Sequence, residues 1–521
     1  MKPSDELFKL IKSLTKSEKR FFKLSSSLQS GEKNYLKLFD AIEKQLEYDE
    51  EDIKNTFKKE NFIKHLPSEK NHLYKLVLKS LRAYHADNSV VSQLQEDIKN
   101  VEILFKRALY REAGKVLSKS KKLAYAYERF YFLFELIKWE KQLLEEEYKA
   151  GNFQQNLDEL ITEEKDVLEK LRNLAEYRIL YSKINYVFRK GGYARNDEER
   201  AIVEDIRNYH LIKGKNTAQS KSAAATCYYI QGLCAIVNHD YSSSYEKFTK
   251  VVSIFEENPK LITEIPHQYI KSMSNLLYCF LDVKDFDSFF DLLGKIRALE
   301  NQPGFTSIDI KMKLFTSTYT AELVAYDYMG EYEKGIEVVD DIVAGIDKYK
   351  DKISKEEEIL FYYNIAYVFF GANFLKNALR WLNKVINDNE SNLRQDVYSF
   401  ARLFSLVIHY ELENYDLLDY MVKSTSRFYQ KRRKEFGREY KFETIFIKYI
   451  KKLAKASDNR DKQDILFANL KAEMQVVLTE NYEKVALNYF DFISWVDSKI
   501  ENRSFMEVKS ELSKQKTTLI S

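Results

Sequence analysis

The side chains able to carry covalent or proton-transfer chemistry are few and scattered. The seven histidines are His65, His72, His85, His210, His239, His267 and His409. They form no HExxH pair and stand at no metal-ligand spacing with a cysteine or aspartate. No GxGxxG, GxxxxGK[ST] or GxSxG occurs, so neither a phosphate-cradling loop nor a nucleophile elbow is expected. Gly191-Gly192 before Tyr193 reads as a loop. Glu145–Glu147 and Glu356–Glu358 read as solvated faces and helix starts rather than acid–base pairs. Cys227, Cys234 and Cys279 form no CxxC pair and no even disulfide framework. His239 and His409 fall in a turn and on an apolar stripe, where packing explains them. The expected chemistry is recognition: no enzyme, no cofactor and no metal.

One charged stretch offers recognition chemistry of its own. Between Arg427 and Lys455 there are eleven Lys or Arg and three Glu, with Lys434, Lys441, Lys448 and Lys455 seven apart. On one continuous helix these, with Lys431, Arg438 and Lys452, would form a basic ridge able to take phosphates or an acidic partner. The favoured expectation is that QKRRKEFG is instead a loop between helices, which scatters the charges.

The elements that would position such residues are helices. Gly (14) and Pro (5) are scarce in 521 residues, and 45% hydrophobic against 31% charged residues is a globular balance. The stretch Glu358–Asn389 shows the unit most clearly. Leu360, Tyr363, Ala366, Tyr367 and Phe370 lie on one face of a first helix, and Ala378, Leu382 and Val385 on one face of a second, across a turn near Gly371–Asn373. Ala378 is small where the two must cross.

Matching crossings fall at Ala113, Asn156, Ala201, Ser244, Phe289, Gly335, Ala378 and Leu418, spaced by 43, 45, 43, 45, 46, 43 and 40. A ninth pair is centred on Leu466. Tyr110, Phe153, Tyr241, Phe286, Tyr332, Leu375 and Tyr415 each stand three residues before a crossing, where an aromatic can plug the gap between helices. Gly151 and Gly330 precede two of them and suit the positive φ of a helix C-terminal cap.

The pattern resembles the tetratricopeptide repeats. Gly232, Tyr241, Ser244 and Phe248 follow that family's consensus in one repeat, and Gly330, Tyr332, Gly335 and Val339 in another. The resemblance spans residues 91–480, with units of about 44 residues rather than the usual length of about 34. It implies an all-α, TPR-like right-handed α-solenoid of antiparallel helix pairs. It also implies that the first helix of each pair lines a concave groove for a peptide or partner protein. The positions carried over are Lys271, Asn275 and Tyr278, then Asp327, then Tyr363, Asn364 and Tyr367. Their aromatic and amide character argues against capture of a terminal carboxylate, for which the family uses Lys and Arg.

Outside residues 91–480 the expectations are simpler. Residues 1–90 read as a helical bundle in which Thr15–Glu18 is a capping box and Asp49–Asp52 opens a fourth helix. Residues 481–521 read as one capping helix over 481–500 and a polar tail. A net charge of +3 provides no global field for nucleic acid. The alternative function is a regulator whose basic segment SLTKSEKRFFKL lets the bundle bind nucleic acid while the array senses a ligand. The acidic end of the third helix counts against it. The start, MKPSDELFKLIKS, has no signal-peptide pattern, and the longest uncharged run, Ile359–Leu375, is too short and too interrupted for a membrane span. A cytoplasmic protein with no membrane partner is expected.

Overall fold

With so few glycines and prolines to interrupt them, helices dominate; among the described residues there is no strand. The computed structural model describes residues 4–27, 34–85, 89–146, 153–189, 197–238, 240–350, 352–388, 394–436 and 439–517. Packing divides the chain into two units, Met1–Glu169 and Lys170–Ser521.

The first unit opens with α1 (Glu6–Ser13), α2 (Lys16–Ser27), α3 (Asn34–Lys44), α4 (Glu50–Thr56) and α5 (Leu66–Tyr84). They close around Leu7, Ile11, Phe22, Leu38, Phe39, Ile42, Ile53, Leu73 and Val77. The Thr15–Glu18 capping box is present: the Thr15 N–H donates to the Glu18 carboxylate at 2.7 Å, and the Glu18 N–H donates to Thr15 Oγ1 at 3.2 Å. Asp49 caps α4 by accepting from the N–H groups of Glu51 and Asp52. Three helices follow, α6 (Val90–Lys106), α7 (Tyr110–Ala126) and α8 (Phe130–Glu146), and then α9 (Phe153–Arg189), inside which the division falls.

The second unit continues with α10 (Asp197–Asn208), α11 (His210–Lys213), α12 (Lys221–Val237), α13 (Tyr241–Glu257), α14 (Pro259–Glu264), α15 (Pro266–Val283) and α16 (Phe286–Ala298). Next come α17 (Ile308–Met329), α18 (Tyr332–Glu337), α19 (Val339–Tyr349), α20 (Lys355–Gly371), α21 (Leu375–Ile386), α22 (Gln395–Glu411) and α23 (Tyr415–Phe436). The unit ends with α24 (Lys441–Lys455), α25 (Arg460–Val477), α26 (Asn481–Lys484), α27 (Phe492–Ile500) and α28 (Phe505–Thr517). Among these, α15, α17, α20, α22 and α24 each pack on the next of the series and on the helix they turn into.

One turn geometry recurs. The N–H groups of Leu109, Arg129, Asp240, Asp285, Glu331, Phe374 and Asn414 each donate to the carbonyl five residues back, at 2.8–3.0 Å. This bond closes a helix end whose next residue turns left-handed. Ala108, Glu128, Lys284, Gly330, Asn373 and Glu413 accordingly have φ between +51° and +70°. The following helix then begins one residue later, at Tyr110, Phe130, Tyr241, Phe286, Tyr332, Leu375 and Tyr415. The crossing residues Ala113, Ser244, Phe289, Ala378 and Leu418 are fully buried. Gly151 and His239, also placed in turns by the sequence, lie outside the described residues. Of the aromatics expected to plug these turns, Tyr332 is fully buried whereas Tyr241 stays 37% exposed.

Two expectations change. Asn156 and Ala201 are exposed; Phe153 begins α9, the turn expected before it at Gly151 lies outside the described residues, and α9 then runs unbroken for 37 residues without glycine or proline. Its buried positions, among them Leu160, Val167, Leu174, Tyr177 and Ile184, supply one continuous seam in place of a hairpin. Residues 481–500 are likewise not one helix. After α26 and a 3₁₀ turn over Val485–Asn488, the backbone at 489–491 leaves helical geometry before α27 begins, and the polar tail forms α28.

Candidate functional site

α15 begins with Pro266 at its first position and ends at the left-handed Lys284, so its phase is set from both ends. Lys271, Asn275 and Tyr278 are spaced by four and three and share one stripe; Asp282 continues it four residues on. Lys271 Nζ donates to Tyr181 Oη at 3.4 Å and Asn275 Nδ2 to Tyr229 Oη at 3.0 Å. The Tyr181 and Tyr229 rings meet edge to face, 5.7 Å apart. Tyr278 remains 37% exposed, yet the protein around it pushes its hydroxyl up to about 12. Burial in the same sense pushes the exposed Asp282 carboxyl up to about 6. The stripe offers an ammonium, an amide, phenols and a carboxyl to an incoming chain.

The other residues carried over from the resemblance lie on α17 and α20, and there the face is covered. Tyr363 and Tyr367 are 3% and 8% exposed, beneath the chain's own C-terminal segment. Tyr363 Oη donates to the Tyr489 carbonyl at 2.9 Å, and the Asp491 N–H donates to Tyr367 Oη at 3.1 Å. These bonds fall on the non-helical stretch between α26 and α27, whose backbone groups would otherwise be orphaned. Tyr489 also stacks on Phe400 at 4.4 Å and donates to Asp396 at 2.6 Å. Burial holds both Tyr363 and Tyr367 hydroxyls well above the usual phenol range, so they act as neutral donors and acceptors. Asn364 is half-buried beside them.

Asp327, in the last turn of α17, accepts from Tyr332 Oη at 2.7 Å and lies 3.4 Å from Lys509 Nζ. Lys509 also reaches Asp491 at 3.2 Å. Burial raises the Asp327 carboxyl. Burial disfavours the Lys509 ammonium as well, but Asp327 and Asp491 outweigh it and hold the ammonium above the ordinary lysine value.

The residues proposed from sequence are thus brought together in two groups, one open and one covered. Reasoning from sequence missed Tyr181, Tyr229, Asp282, Asp491, Phe505 and Lys509. Asp282 was signalled by continuation of the α15 stripe, and Phe505 by an aromatic in an otherwise polar tail.

The basic stretch is not a continuous ridge. It is divided between α23 and α24, and QKRRKEF belongs to the last turns of α23 rather than to a loop. Lys434 lies in the last turn of α23, Lys441 starts α24 paired to Glu480 at 2.7 Å, and Lys448 faces Glu473 at 3.4 Å; Arg438 lies outside the described residues. In the N-terminal bundle, Lys19 pairs with Glu43, and Lys23 with Asp40 and Glu43, so the basic segment of α2 is balanced from within.

Among the described residues no cluster of three His, Cys, Asp or Glu side chains is arranged to hold a metal ion, and no helix is long and apolar enough to cross a membrane. The chain matches no protein-family model and no curated protein, so its site has to be read from its own geometry.

Proposed function

We propose that this chain is a non-enzymatic protein-interaction scaffold. Its helix pairs form a TPR-like right-handed solenoid of units of about 44 residues, whose concave face takes a peptide or a partner protein. The working surface is the open stripe of α15, Lys271, Asn275, Tyr278 and Asp282, flanked by Tyr181 and Tyr229. The observation that carries this reading is how the covered half behaves. There, Tyr363 and Tyr367 hold the turn at residues 489–491 by hydrogen bonds to its C=O and N–H groups. Tyr278 stands on α15 where Tyr367 stands on α20, and Asn275 where Asn364 stands, so the open half presents hydrogen-bonding groups of the same kind to a chain from outside. Asp282 favours a basic group in that ligand, and binding should strengthen as the pH rises through about 6 and the carboxyl ionises.

The test is photo-crosslinking from the full-length chain, with benzoylphenylalanine at Tyr278 or, as a control, at the exposed Tyr420 of α23. A discrete protein adduct from position 278 alone, lost on Asn275→Ala or Asp282→Asn at unchanged melting temperature, is the expected result. Adducts of equal yield from both positions, or none from position 278, would remove the basis for this reading.

A further inference from the structure

The two last helices are held differently. α27 buries Phe492, Trp495 and Val496 at 1% exposure or less, and Trp495 Nε1 donates to Glu411 at 2.6 Å, so it is part of the core. Among the described side chains of α28 only Phe505 and Val508 are buried, while Glu507, Glu511, Leu512 and Lys514 are exposed. It is joined to α27 by the exposed residues 501–504, with Asn502 at φ +54°.

What lies beneath it is shaped for one kind of helix. Phe505 enters an aromatic cup formed by Tyr332, Tyr367, Phe370 and Phe490, at ring distances of 5.4–6.4 Å. Four residues later, Lys509 reaches the Asp327–Asp491 pair at the lip of that cup. The anchors 505, 508 and 509 have the i, i+3, i+4 spacing of a helix laid into a groove.

Gly330 supplies an independent sign. At its place in the other turns stand Ala108, Glu128, Lys284, Asn373 and Glu413, all with positive φ, so the turn itself does not require glycine. A Cβ on Gly330, however, would lie 2.7 Å from Ser510 N and 3.1 Å from its Cα. The missing side chain makes room for the backbone of α28.

We propose that the cup and acid pair under α28 form a second, self-occupied binding site. Its external ligand is an amphipathic partner helix that carries an aromatic residue and, four positions later, a Lys or Arg. The tethered α28 competes with that helix at an effective concentration on the order of millimolar, so it sets the threshold for binding. Two carboxylates facing one half-buried ammonium explain the demand for a cation, since an uncharged residue there would leave both acids without a counter-charge. The site does not depend on what occupies the α15 stripe.

The probe is a fluorescent peptide of residues 503–517 titrated into the full-length chain. The double variant Phe505→Ala/Lys509→Glu, which empties the site without deleting the helix, should bind the peptide at least tenfold more tightly than the unaltered chain. Adding Gly330→Asn, which tolerates the positive φ but collides with the incoming backbone, should abolish that binding. A folded double variant that ignores the peptide, or equal binding by both chains, overturns the proposal. A readout on the unaltered chain keeps it testable if the variant fails to fold. Amide exchange in α28 should be at least a hundredfold faster than in α27, and equal protection of the two helices overturns the proposal as well.

Discussion

Tyr278 and Tyr367 occupy equivalent places on α15 and α20, and they have opposite fates. The first keeps 37% of its surface in water; the second keeps 8% and accepts a hydrogen bond from the backbone of residue 491. The helices that carry them follow one plan, with a left-handed residue closing or following each and a second helix crossing behind. The difference comes from the C-terminal segment, which folds back over α17, α20 and α22; it meets the end of α15, where Lys284 Nζ donates to the Leu512 carbonyl at 3.0 Å, and leaves Tyr278 exposed. The same type of surface therefore becomes core where the chain covers it and stays in solvent where it does not, and the proposed function assigns recognition to the open part. Tyrosine suits both roles, because its ring packs while its hydroxyl still reaches a backbone group.

The largest expected effect separates the two tyrosines. Tyr367→Ala removes a buried ring and orphans the Asp491 N–H, so urea unfolding should show a loss of about 3–5 kcal/mol. Tyr278→Ala should move the unfolding midpoint little in the same titration. Comparable stability losses at the two sites would mean that the α15 face is core after all.

A second pair sharpens the contrast between regular and irregular regions. Ala378→Met forces a larger side chain into a fully buried helix crossing and should cost about 1–3 kcal/mol. Ala201→Met lies on the exposed side of α10 and should stay within about 0.5 kcal/mol. Equal costs would put Ala201 back at a crossing.

The smallest effect concerns pH in the covered half. His409 is 6% exposed on α22, and burial lowers its pKa from 6.5. Its contribution to stability is complete above pH 6.5. Below that value the unfolded chain takes up a proton that the buried imidazole refuses, so stability falls until the folded-state pKa is reached. His409→Gln should flatten the stability curve below pH 6.5 by no more than about 1.4 kcal/mol per unit of lowering. Parallel curves for the variant and the unaltered chain would show that His409 does not contribute.

Much of the helical plan was legible in the residues. Tyr110, Tyr241, Phe286, Tyr332, Leu375 and Tyr415 were singled out by spacing, and each is the first residue of a helix. The turns before them were harder to read, because Ala108, Glu128, Lys284 and Glu413 take a conformation for which glycine or asparagine is the usual signal. Phe153 also begins a helix, but the crossings expected at Asn156 and Ala201 are exposed. Apolar residues at helical spacing fit one long helix as well as a hairpin, and only a turn residue distinguishes them. The site residues of α15 and α20 were named from their helical phase alone, which places side chains on a face but does not say what covers the face.

Local sequence by itself determined that the chain is helical, where most helices begin, and which faces are apolar. These properties depend on neighbours three and four residues away. Whether a given face became core or surface was decided only by tertiary structure. Residues 489–510 reach back to Asp327, Gly330, Tyr363 and Tyr367 across more than a hundred positions. No periodicity records such a contact, because the free energy that fixes it comes from burying two distant segments against each other. In this chain that long-range burial separates the half of the face that is filled from the half that stays open.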